Sequence, residues 1–130
     1  MTRLSVAFFG SAVAYALIGM VMGVWMGASG DHTLSPVHAH INLLGWASLA
    51  LMGAFYGLAG DLAPRRLAWV NFFVSNVGNL ISLPLLALLL LGDRSVLPVM
   101  AVGEALMVAG MGVFAVAIVI VARKAPSTAL

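Results

Sequence analysis

The chain contains no cysteine, which excludes both a disulfide framework and a thiolate metal site. It is also poor in charge: six Lys and Arg and four Asp and Glu, 8% of 130 residues. A soluble domain carries about 25%, so this sequence lacks the side chains to cover an ordinary water-facing surface. The pI of 9.7 rests on so few bases, with no basic run, that a nucleic-acid partner is not expected. No linker, low-complexity tract or internal repeat breaks the chain, and its length is too short for two domains. A single membrane domain over residues 1–130 is expected.

What the sequence has is apolar length. It is 63% hydrophobic, with a mean hydropathy of +1.13. Four continuous apolar blocks follow one another, over approximately 4–28, 36–59, 67–91 and 96–122. Each is long enough to cross a hydrocarbon core as a helix, which takes ~20 residues. Barrel strands are only ~10 residues long and alternate in polarity. The first block exceeds the ~7–15 apolar residues of a secretory signal and leads into three more. The connections Ser29–Ser35, Gly60–Arg66 and Gly92–Ser95 are short, so consecutive helices are antiparallel neighbours. The fold class expected is all-α: an integral membrane, up-down four-helix bundle.

Arg3, Arg65, Arg66, Arg123 and Lys124 then fall on one side and Arg94 alone on the other. This bias predicts that both termini are cytoplasmic. The loop with Asp31 and His32 would face outward, in a bacterium towards the periplasm. Gly19, Gly23 and Gly27 repeat every four residues, as do Gly53 and Gly57. Such ridges let helix backbones approach closely in lipid, either inside the bundle or between subunits. Trp25 and Trp69 fit an interfacial belt.

Polar residues inside apolar blocks are costly in lipid and are the functional candidates. His38, His40 and Asn42 lie in the second block, Asn76 and Asn79 in the third with Asn71, and Glu104 in the fourth. At a rise of ~1.5 Å per residue, His38 and His40 lie within about one turn of the outer end, Glu104 roughly 12 Å in and Asn79 roughly 18 Å in. The candidates therefore gather in the outer half. Two residues apart on a helix is about 200°, so His38 and His40 cannot chelate one metal ion together. A neutral His facing inward suits axial ligation of haem iron; helix–helix hydrogen bonding is the bland alternative. His32, His38 and His40 would take Cu or Zn if the helix frayed at its start. The asparagines also serve as interhelical glue. Glu104 would hold a His tautomer, relay a proton or bind substrate. Arg94 and His32 are placed to meet anionic groups such as haem propionates, or simply solvent.

The stretch Val37-His38-Ala39-His40-Ile41-Asn42-Leu43-Leu44-Gly45-Trp46 resembles the haem-ligating second helix of cytochrome oxidase subunit I-like proteins and the HAH segment of NnrS haem-copper membrane proteins. A wider likeness is to styrene oxide isomerase, a small four-helix membrane haem enzyme. It rests on Gly23-Val24-Trp25-Met26, on His38 followed by Gly45, and on Asn76-Val77-Gly78, and it covers about the first two-thirds of the chain. The resemblance implies haem b, His38 as the axial iron ligand with His40 as the alternative, and a homotrimer with haem near the subunit interfaces. The isomerase family places an Asn and a Tyr near the iron; the aligned positions here are Leu44 and Leu80, so its reaction does not carry over with its cofactor. The leading expectation is a haem b protein of the bacterial inner membrane that senses or binds a small gas or transfers electrons. The cofactor-binding candidates are His38, His40, Asn42, Asn76, Asn79, Glu104 and Arg94. A ferric-haem Lewis-acid isomerase for a small apolar epoxide is the alternative, and a proton-coupled transporter using Glu104 is the third. The thinness of four helices points to an oligomer, with lipid and haem as its other partners.

Overall fold

A computed structural model describes residues 2–125. It contains four long helices: α1 (Arg3–Ser29), α2 (Ser35–Leu62), α3 (Arg65–Leu90) and α4 (Arg94–Lys124). Each is long and apolar enough to cross a membrane, at roughly 40 Å of helix apiece. Four helices of suitable length are therefore present where spans were expected, each within a few residues of its expected limits. Gly30 and Gly92 lie in the turns between them and Gly60 at the irregular end of α2, all at positive φ, where a side chain would be strained.

α1 packs on α2 and α3 on α4, with lighter contact between the two pairs. The glycine ridges explain the first pairing. A Cβ at Gly53 would come within 2.8 Å of Phe8, and one at Gly57 within 2.9 Å of the Ser5 hydroxyl. Ser5 Oγ donates to the Gly53 carbonyl at 2.8 Å. On the other pair, Gly78 and Gly103 bring α3 against α4, and Ser82 Oγ donates to the Met100 carbonyl at 3.3 Å. Most of the expected ridge is thus used inside the chain; Gly27 alone of the first-helix triplet meets nothing within 4 Å.

The two halves of the bundle are built differently. In the half where α1 and α3 begin, rings from all four helices meet. Phe8 packs on Tyr56 at 5.5 Å and on Phe72 at 5.1 Å, and Tyr56 on Phe114 at 5.8 Å. Beside them Asn71 donates to the Tyr56 hydroxyl at 2.9 Å and accepts from Ser75 at 3.0 Å. Edge-on and tilted ring contacts of this kind are worth about 0.5–1.5 kcal/mol each beyond the area they bury. Among the described residues, the other half, where the His residues lie, has no such aromatic centre.

α2 is not regular. Residues Ile41–Ala47 form a π-helical segment directly after His40. Its wider turn shifts every later side chain relative to the first turns, and such segments occur often at functional sites. Within it Gly45 is buried against Tyr15, where a Cβ would stand 2.5 Å from the ring. The Leu44 carbonyl accepts from Asn79 Nδ2 at 3.2 Å.

Candidate functional site

The start of α2 brings His38 and Asn42 against α1. Pro36 stands in its first turn, a position where the missing N–H is not needed and the fixed φ suits a helix. Val37 and Ile41 are buried and hold this turn against its neighbours. That orientation lays His38 over the glycines of α1. A Cβ at Gly23 would lie 3.1 Å from His38 Cε1, and one at Gly19 would lie 2.7 Å from the Asn42 amide.

His38 Nδ1 lies 2.9 Å from the Gly19 carbonyl. A carbonyl only accepts, so Nδ1 carries the proton, and the neutral ring then has its lone pair on Nε2. Asn42 Nδ2 donates to the His38 carbonyl at 2.8 Å. It lies 3.5 Å from Nδ1 and 3.4 Å from Nε2. An atom so nearly equidistant from both nitrogens must stand over the ring face, because an in-plane position would clash with a ring carbon. The in-plane lone pair of Nε2 is left free.

The other candidates separate. His40 is exposed, and its Nδ1 donates to the Pro36 carbonyl of its own helix at 2.7 Å. His32 likewise turns back on Gly30 in the exposed loop, at 3.1 Å. Among the described residues no group of three or more His, Asp or Glu side chains comes together to hold a metal ion, so the three histidines form no Cu or Zn cluster. Asn76 donates to Phe72 of its own helix at 2.9 Å. Arg94 is exposed at the start of α4. Glu104 is exposed on α4, whose buried positions Gly103 and Gly110 face α3 instead.

Asn79 is placed otherwise. It is 2% exposed, and its Oδ1 is buried without a hydrogen-bond partner. Asn79 lines a cavity of about 350 Å³ between α1, α2 and α3, together with Tyr15, Met22, Ile41, Leu83 and Pro84. The volume suits a small molecule, and its walls are almost wholly apolar. His38 is not among its lining residues. Tyr15 had no place among the sequence candidates, since a lone Tyr in an apolar helix carries no signal without its neighbours. Asn71 was a candidate, but its partners, Tyr56 on α2 and Ser75 one turn along α3, were not.

In the loops at the His38 end, Thr33 donates to Asp31 from both its hydroxyl, at 2.7 Å, and its backbone N–H, at 2.9 Å. These bonds, the hydroxyl's first, hold the Asp31 carboxyl below its ordinary pKa. Asp93 is lowered in the same way by the Ser95 hydroxyl and backbone N–H. Both carboxylates act as local turn caps.

Compared with known proteins, the chain matches no family profile, no curated protein and no solved structure.

Proposed function

We propose that this chain is a membrane haem b protein with His38 as the axial ligand, serving to bind or sense a small gas or to pass electrons. The observation that carries this reading is the 2.9 Å bond from His38 Nδ1 to the Gly19 carbonyl. A ligating His commonly donates its other ring N–H to a carbonyl, which fixes its tautomer and orientation and raises its basicity. His38 meets that requirement from a neighbouring helix, whereas His40 leans only on its own. Haem bound there would supply an iron able to take a diatomic gas or exchange one electron. The chain's own part is to hold the ring, keep Nε2 deprotonated and, through Gly19 and Gly23, leave room beside it.

His38 is half-buried and does not line the inner cavity. A macrocycle on its Nε2 would therefore lie against the outer face of α1 and α2 and be completed by another copy, a homotrimer in our reading. Both termini would be cytoplasmic in a bacterial inner membrane, with the five-to-one distribution of basic residues as support. A topology reporter fused after Leu130, which lies outside the described residues, tests that orientation. Haem ligation is tested by the absorption spectrum of protein expressed with sufficient haem.

A second reading, ferric haem acting as a Lewis acid on a small apolar epoxide, would need polar groups such as Tyr15 and Asn79 beside the iron, but these line a cavity that does not include His38. Turnover of an epoxide without an electron donor would favour this reading over gas binding.

A further inference from the structure

The end of the bundle opposite His38 holds a second concave feature. A cavity of about 560 Å³ opens where α1 and α3 begin and α2 and α4 end; Thr2, Arg3, Asp61, Arg65, Trp69 and Lys124 are among its lining residues. Three cations from three helices face a single carboxylate there. Among the described residues no ion pair joins Asp61 to any of them. Lys124 Nζ instead donates to the Leu62 carbonyl at 3.3 Å, which holds the ammonium over the turn between α2 and α3. Among the described lining residues Asp61 alone offsets these cations, which leaves the cavity net positive.

The backbone adds to the same field. α3 starts after Pro64 with no side-chain cap. Its first backbone bond is from Ala68 N to the Pro64 carbonyl, at 3.0 Å, so the amides of Arg65, Arg66 and Leu67 have no helical partner. Free first-turn amides and the helix dipole favour an anion at such an end. Below the charges the floor is sealed by Tyr56 and Ala68, at 1% and 0% exposure. Trp69, half-buried at the rim, stacks on Phe73 at 5.8 Å, as an indole at headgroup level would.

We propose that this cavity binds one phosphate group, carried by an anionic phospholipid or free in solution, between Arg3, Arg65 and Lys124. Cations on three helices can each meet a different oxygen of a phosphate, and guanidinium and ammonium groups are its usual ligands. The occupant would tie the start of α1 and of α3 to the end of α4. This site is independent of haem at the other end.

The test uses the full chain in a neutral detergent, with bound lipid read by native mass spectrometry. Phosphatidylglycerol and a diacylglycerol of matched acyl chains, which lacks the phosphate, are offered together. Retention of phosphatidylglycerol by roughly fivefold or more over diacylglycerol is expected, the factor that one cation near a membrane surface is worth. Arg65→Gln and Lys124→Gln should each weaken that retention by roughly the same factor. Arg66→Gln, at the same end but not in the lining, should leave it unchanged. Displacement of the lipid by millimolar inorganic phosphate would assign the site to free phosphate, and resistance to it would assign a lipid headgroup. Equal retention of both lipids together with no phosphate binding would overturn the proposal. So would an Arg66→Gln effect as large as that of Arg65→Gln, because general surface charge would then account for the preference.

Discussion

The imidazole of His38 donates from Nδ1 to the Gly19 carbonyl at 2.9 Å, so α1 sets the direction in which α2 presents its free ring nitrogen. Gly23 completes the contact one turn further along α1, where a Cβ would lie 3.1 Å from the ring. The ring orientation is therefore a property of a helix pair, and substitutions on α1 should be felt at His38.

Gly23→Val should turn the imidazole and lower haem affinity by roughly tenfold, the lower range for loss of a group that orients a metal ligand. Gly27→Val, on the same ridge but with nothing within 4 Å, should leave it unchanged. Haem titration followed at the Soret band checks both. Equal affinities for the two variants would show that the α1–α2 contact does not orient the ligand.

The four long apolar helices were legible because apolar length alone specifies them. The tight α1–α2 contact was legible in part, since Gly53 and Gly57 on one helix and Gly19 and Gly23 on the other repeat at helical spacing. Three features were not. The π-helical turn at Ile41–Ala47 leaves no mark in composition, and it decides that Gly45 meets Tyr15 and that Leu44 meets Asn79. The exposure of Glu104 was hidden because α4 is apolar all round and has no face that periodicity can pick out. Asn71, Asn76 and Asn79 look alike in sequence, yet one sits in a buried network, one bonds its own helix and one retains an unpartnered oxygen.

That contrast is measurable as stability. Asn71→Ala removes the partner of both Tyr56 and Ser75 in a buried setting and should cost about 1–3 kcal/mol. Asn76→Ala loses only a bond to its own helix and should stay within about 0.5 kcal/mol. Reversible unfolding in mixed micelles gives both values. A larger loss for Asn76→Ala would contradict the assignment of Asn71 as the central polar link.

Gly45→Ala places a Cβ 2.5 Å from Tyr15 Cγ. Neither the backbone of α2 nor the root of the Tyr15 side chain can yield cheaply, so overpacking should cost about 1–3 kcal/mol. Restoration of stability by Tyr15→Leu in the same chain would locate the clash. No loss in Gly45→Ala would mean that α1 and α2 stand further apart than described.

The Asp31 carboxyl lies below its ordinary pKa because Thr33 donates to it twice, the hydroxyl bond contributing first. A depressed carboxyl stabilises the loop above its unfolded pKa of about 3.9 and loses that contribution as pH falls through its lower folded value. Thr33→Val should move Asp31 back up towards the ordinary value. Carboxyl NMR titration reads this directly, and an unchanged Asp31 would show that the hydroxyl bond does not form in solution.

Haem ligation by His38 is the central claim, and a single set of absorption spectra tests it most directly. Wild-type protein expressed with sufficient haem should show a Soret band. His40→Ala should retain the band, and His38→Ala should lose it while remaining folded by circular dichroism. A wild-type protein without a Soret band would contradict haem binding itself. Loss of the band in His40→Ala with retention in His38→Ala would contradict the ligand assigned here.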